Sequence, residues 1–252
     1  MTALLELQGL AKRFGQVVVA DGVDLTVQAG EAIGIVGPNG AGKSSLFAMI
    51  SGDLAPDAGH IRFKETDVTG MPAHRRCRDG IGRTYQVPRP FEKMTVFENV
   101  LVPATQGAGL RGQAAADKAA HVLGTAGLYN IANARAGSLS LLQRKRLEVA
   151  RGLATSPQIL LLDEVAGGLT DPEVHELVEL ISNVKSDGVA VIWIEHVVHA
   201  LVKSVDRLLC LAGGRFVADG LPEDVLNDPA VLELYFGTGP DLAPANDTEA
   251  LQ

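Results

Sequence analysis

One segment constrains this chain more than any other: Ala32-Ile33-Gly34-Ile35-Val36-Gly37-Pro38-Asn39-Gly40-Ala41-Gly42-Lys43-Ser44-Ser45. Residues 32–36 read as a short buried strand, and Leu46-Phe47-Ala48-Met49-Ile50 reads as the body of a helix. Between them lies G-x-x-x-x-G-K-S, a loop whose backbone N–H groups point inward at phosphate oxygens. Gly37, Gly40 and Gly42 allow the curl, and the following helix adds its positive N-terminal end to the same spot. The whole loop, with Pro38, Asn39, Ala41 and Ser45, is therefore assigned to nucleotide binding. Lys43 reaches the β/γ-phosphates, and the Ser44 hydroxyl ligates Mg²⁺. A glycine-rich turn that merely happens to end in Lys-Ser is the competing reading, and the strand before and helix after decide against it. The sequence predicts binding of a nucleoside triphosphate.

A second stretch supports this. Pro157-Gln158-Ile159-Leu160-Leu161-Leu162-Asp163-Glu164 is a continuous apolar run that ends in two carboxylates. Such a run implies burial on both faces, as in a parallel sheet, and ligands of these folds bind at the carboxyl ends of the strands. There Asp163 would hold the Mg²⁺ shell, and Glu164 would orient or deprotonate a water for attack on the γ-phosphate. Residues 189–194 repeat the pattern and end in Glu195-His196. An imidazole at that strand end can contact a γ-phosphate, although a lone histidine there is more often structural. Gln86 closes a strand expected over 81–85 and can offer its carbonyl to a metal or to the attacking water. By itself it is no more than a loop glutamine.

The rest of the chain suits an α/β domain. Short strands are expected at 4–10, 17–20 and 24–27, with Phe14 in a turn ahead of the nucleotide strand, where an aromatic either stacks on adenine or covers the hairpin. Composition turns helical from Met94 to about Arg151, with Thr95 capping one helix and Ser138-Leu139-Ser140 opening another. Helix is expected over 172–186. The segment after Phe236, rich in Gly, Pro, Asp and Asn, is expected to be disordered. A net charge of −8 argues against nucleic acid as a partner. The basic clusters His74-Arg75-Arg76-Cys77-Arg78 and Arg144-Lys145-Arg146 read as solvated helix faces. Two isolated cysteines, Cys77 and Cys210, make no disulfide framework and fit a reducing cytosol. No run approaches the ~18 apolar residues of a membrane span, so any work at a membrane goes through a partner.

With the phosphate loop, Gln86, the helix after Ser140, Asp163-Glu164 and His196 in this order and spacing, the chain resembles the ATP-binding subunit of an ABC transporter over about residues 4–236. Asp67-Val68-Thr69-Gly70-Met71-Pro72-Ala73-His74-Arg75-Arg76, Arg83-Thr84-Tyr85-Gln86, the stretch from Phe91 to Asn99, and Arg146-Leu147-Glu148-Val149-Ala150-Arg151 are most similar to the ATPases of branched-chain amino acid importers. The resemblance implies a RecA-like P-loop NTPase core at 4–86 and 152–236, an antiparallel β subdomain, and a helical subdomain inserted at 87–151. It implies that two ATPase subunits sandwich ATP and Mg²⁺ head to tail, with Ser140 and Gln143 of one contacting the nucleotide of the other. It also implies that Phe14 stacks on adenine, Gln86 links the site to integral membrane permease subunits, Glu164 is the catalytic base and His196 senses the γ-phosphate. The protein would sit on the cytoplasmic face of the membrane and serve a solute-binding protein indirectly.

Three departures from the family pattern stand out. The signature Leu-Ser-Gly-Gly-Gln reads Leu139-Ser140-Leu141-Leu142-Gln143, Val165 replaces a proline, and Thr170 precedes Asp171. The first places branched side chains where backbone should approach a γ-phosphate. Alternatives to the importer are an ATPase of lipid or lipopolysaccharide export and a regulatory module that binds ATP without turnover. A ribosome- or DNA-acting protein of the family would need two cassettes or a coiled-coil insertion.

Overall fold

The longest apolar runs of the sequence become the centre of one sheet. In the computed structural model, which describes residues 3–236, β3 (Ala32–Val36), β7 (Ile159–Asp163) and β8 (Ala190–Ile194) are buried along their whole length. The expected disordered tail lies outside the described residues. The chain order is β1 (Leu5–Phe14), β2 (Val17–Val27), β3, α1 (Lys43–Ser51), β4 (Ala58–Phe63), β5 (Thr66–Asp67), α2 (Ala73–Asp79) and β6 (Ile81–Arg83). Then come α3 (Val96–Gln106), α4 (Gly112–Thr125), α5 (Leu141–Ala154), β7, α6 (Asp171–Ser186), β8, α7 (Val198–Val202), β9 (Arg207–Ala212), β10 (Arg215–Gly220), α8 (Pro222–Leu226) and α9 (Pro229–Phe236).

Six strands form a sheet of order β10-β9-β3-β8-β7-β6, parallel from β9 to β6 and antiparallel at the β10 edge. This brings the carboxyl ends of β3, β8 and β7 side by side. Helices α3 to α6 cover one face, where Leu160, Leu162, Val191 and Trp193 meet Val100, Val122, Leu147 and Leu177. The other face packs Ile33, Ile35, Leu161 and Ile192 against α1 and a four-stranded antiparallel sheet of order β2-β1-β4-β5.

Several expectations need correction. The N-terminal strands are two long ones, because β-bulges around Leu10 and Lys12 let pairing run on beyond Leu10 to Phe14 and across Asp21-Gly22, where strand ends were expected. Phe14 is therefore the last residue of β1 rather than part of a turn. The helix expected to open at Ser138 begins at Leu141, with Ser140 as its N-cap and a 3₁₀ turn over 136–138. The capping box of Thr95 and Glu98 forms as the sequence suggests. The boundary expected at 151/152 falls inside α5, which packs on α3 and α4 and also reaches β6 and β7.

The basic cluster at 74–78 is not simply a solvated face. Arg76 is buried, and its guanidinium donates to the carbonyls of Met49 and Ile50, at the end of α1, and of Thr69 and Met71. A cation there answers both the unpaired carbonyls and the negative end of the helix. Arg76→Met is expected to destabilise the protein by about 2–4 kcal/mol in urea unfolding, since several buried acceptors lose their donor at once. Arg76→Lys should recover less than half of this, because an ammonium cannot fork to four carbonyls. A Met variant as stable as the parent would mean that water replaces the guanidinium.

Candidate functional site

The loop between β3 and α1 has the curl that the sequence demands. Gly37 and Gly42 have φ of 147° and 106°, and a Cβ at either would lie 2.0 Å from a backbone oxygen, of Leu211 and Val19 respectively. Both positions need glycine for conformation and for space. Lys43 is the first residue of α1 and is buried, with its ammonium donating to the carbonyls of Gly37 (2.6 Å) and Pro38 (3.0 Å). Burial pulls its pKa below the ordinary lysine value, and the charges of Glu164 and Asp163 oppose that shift.

A cleft of about 560 Å³ opens over this loop, lined by Asn39 to Ser45 together with Val17, Val19, Gln86, Glu164 and His196. The sequence therefore brings three remote strand ends to one place. Glu164 is the hub. Its Oε1 lies 2.7 Å from His196 Nε2, and its Oε2 accepts from Gln86 Nε2. Its backbone has φ +48°, a left-handed conformation uncommon for any residue but glycine. Strain of this kind, about 1–3 kcal/mol, persists where surrounding structure enforces it. Here the Glu164 N–H is tied to the Ile194 carbonyl of β8, and its carbonyl accepts from the buried Lys145 ammonium. Because the Gln86 amide nitrogen faces Glu164, its carbonyl oxygen stays available to a further partner.

Asp163 lies one layer below, buried at the end of β7. Its Oδ2 pairs with Arg83 at 3.3 Å, and Arg83 also holds Ser51 and Asp53. Its Oδ1 is buried without any hydrogen-bond partner. Burial raises its pKa, the Arg83 guanidinium counteracting. A buried carboxylate oxygen without a donor suits a cation or its water shell, so the donor set of Asp163, the exposed Ser44 hydroxyl and the Gln86 carbonyl fits Mg²⁺.

Other expected residues stand elsewhere. Phe14 is exposed at the end of β1 with the Lys12 ammonium 5.5 Å from its ring centroid, and it does not line the cleft. Val17 and Val19, unremarked in the sequence, form that wall, their strand alternation being too short a signal to single them out. Ser140 and Gln143 are outside the cleft and engage each other in a capping box, Ser140 Oγ accepting from the Gln143 N–H and Gln143 Oε1 from the Ser140 N–H. Leu141 beside them is exposed. Phe91 is exposed against Arg151, whereas Phe97 packs on the helical core. Among the described residues no helix is long and apolar enough to cross a membrane.

Comparison with known proteins supplies a family context. The profile described as ABC transporter matches residues 20–167. The chain is 36% identical to the high-affinity branched-chain amino acid transport ATP-binding protein BraF of Pseudomonas aeruginosa, over 93% of this chain and 98% of that one. It is 34% identical to the lipopolysaccharide export system ATP-binding protein LptB of Acidithiobacillus ferridurans, over 94% and 98% of the two chains. Among solved structures it superposes on the ADP conformation of an ATP-binding cassette of an ABC transporter with a TM-score of 0.85 and 30% identity, covering 94% of this chain and 100% of that one.

Proposed function

The chain belongs to the ABC transporter family of ATPases, and on that basis we propose that it is the hydrolytic subunit of an importer of branched-chain or related amino acids. One observation carries the hydrolytic reading: the Glu164 carboxylate, held by Gln86 and His196, faces a phosphate loop that presents Lys43 and Ser44. The loop amides and Lys43 take the phosphates of ATP, and Glu164 takes a proton from the water that attacks the γ-phosphorus. His196 keeps the carboxylate aimed and, from the wall of the cleft, would contact the γ-phosphate. Ser44, Asp163 and Gln86 would hold Mg²⁺, whose chemistry there is to neutralise charge on the β/γ oxygens. Phe14 would stack on the adenine from outside the cleft. The amino acid cargo is supported by similarity to BraF along almost the whole chain; similarity to LptB keeps lipopolysaccharide export as the second reading.

The position of Ser140 and Gln143 supports an assembly of two ATPase subunits. Ser140 and Gln143 stand apart from it, free to face the nucleotide of a second ATPase subunit on the cytoplasmic side of permease subunits. Leu141 and Leu142 crowd that approach, so we assign this chain to an asymmetric heterodimer in which a glycine-bearing partner completes its site. The isolated protein is expected to bind ATP and turn it over slowly. Adding the second ATPase subunit and the membrane subunits should raise turnover severalfold, and Leu142→Gly should speed the isolated chain. Fast, cooperative hydrolysis by the isolated chain would end the asymmetry proposal. Vesicles holding the assembled complex should take up labelled leucine or a related amino acid; lipopolysaccharide release without such uptake would favour the second reading.

A further inference from the structure

Lys145 is an anomaly in its own helix. It lies in the second turn of α5, on the face shared with Val149 and Gly152, and is only 4% exposed. Its ammonium donates to two carbonyls, of Gln86 at 3.0 Å and of Glu164 at 3.1 Å. Both carbonyls lie just past the carboxyl ends of parallel strands, β6 and β7, where the sheet ladder no longer serves them. The negative charges around it are those of Glu195, Glu164 and Glu148. Burying an ammonium is costly unless it is paired and hydrogen-bonded, and here the compensation comes from the backbone of the two residues whose side chains meet in the cleft.

We infer that Lys145 is a positioning residue for hydrolysis, tying helix α5 to the backbone of Gln86 and Glu164 so that the carboxylate is held over the phosphate loop. This rests on the hydrolytic role of Glu164 proposed above. Three features of the geometry carry it. The Glu164 backbone is in the left-handed conformation and needs outside restraint, which Lys145 supplies at its carbonyl while Ile194 supplies it at its N–H. One ammonium fixes both loops, so they cannot drift apart independently. The same helix is capped by Ser140, about five residues or ~7.5 Å away along the axis, so a shift of its N-terminal end is passed to the catalytic carboxylate by a single side chain.

The test compares the parent with Lys145→Met, Lys145→Gln and Lys145→Arg in the full chain, alone and in its membrane complex. Turnover is expressed per nucleotide-binding site, titrated with a fluorescent ATP analogue. The Met variant should lose about 10²-fold in kcat, the size of effect expected when a reacting group is misplaced by an ångström. Its KM for ATP should change by less than about threefold, since the loop that binds phosphate is untouched. Lys145→Arg, which can still donate to both carbonyls, should keep most of the rate, and Lys145→Gln should fall between Arg and Met. In a Glu164→Gln background Lys145→Met should lower kcat little further, whereas a merely structural lysine would act additively. If the Met variant does not fold, the Arg and Gln variants decide by their order. Parental kcat in the Met or Gln variant, or full additivity with Glu164→Gln, overturns the inference while leaving the reading of the cleft intact. A parent that does not hydrolyse ATP, or a Glu164→Gln variant at parental rate, overturns that reading and this role with it.

Discussion

Glu164→Gln is expected to lower ATP turnover by about 10²–10⁴ while leaving nucleotide affinity within severalfold of the parent. In barrier terms this is about 3–5 kcal/mol, the whole of what a general base supplies. The substitution keeps the shape of the side chain and removes its basicity, so His196 retains an acceptor in the carboxamide oxygen. Gln86 does not fare as well: its Nε2 donates to Glu164 Oε2, and it would face an NH₂ group unless its own amide turns over. Binding itself depends on the loop amides, Lys43 and Ser44, none of which changes. A single-turnover experiment with γ-labelled ATP reads the chemical step directly, and titration with a fluorescent analogue reads affinity. A rate loss below tenfold would mean that Glu164 only orients the water and that the proton leaves to another acceptor; an unchanged rate would remove Glu164 from the chemistry altogether.

Features that depend on a few adjacent residues were legible in the sequence. The glycines of the loop, Lys43-Ser44, and an apolar strand ending in Asp163-Glu164 each combine residue type with local context, and the fold places them as the pattern suggests. The continuous apolar runs at β3, β7 and β8 likewise announced strands buried on both faces. What escaped was long-range compensation of buried charge. Lys145 is 59 residues from Gln86, and Arg76 is 27 from Met49; in a linear reading both dissolve into basic clusters that look solvated. Helical phase gave a usable hint for Lys145, which shares a face with Val149 and Gly152. For Arg76 no comparable hint exists in a seven-residue helix, because its acceptors are all backbone carbonyls, two near the end of α1 and two in the loop at Thr69 and Met71, and a carbonyl leaves no trace in residue identity. Arg83, which pairs with Asp163, was legible only as part of a family motif.

Lys43→Ala separates binding from chemistry. The Lys43 ammonium donates to the carbonyls of Gly37 and Pro38 in its own loop. Its burial disfavours the charge, so replacing it with Ala relieves a desolvation cost while exposing two carbonyls that border an open cleft and can be hydrated. These effects oppose one another, and the melting temperature of the nucleotide-free variant should stay close to that of the parent. Phosphate binding is different. Charge-assisted hydrogen bonds are worth about 1.5–3 kcal/mol each, so losing the contacts of Lys43 to the β/γ-phosphates should weaken affinity for ATP by about 10²-fold. At an ATP concentration 100 times the parental Kd, the parent gains about 2.7 kcal/mol from ligand binding, and the variant keeps only about 0.4 kcal/mol. For a chain of this size the parental gain appears as an upward shift of about 5–10 °C, which should nearly vanish in Lys43→Ala and persist in Glu164→Gln. A Lys43→Ala protein that melts with the full nucleotide-dependent shift would place the phosphates elsewhere than on this loop.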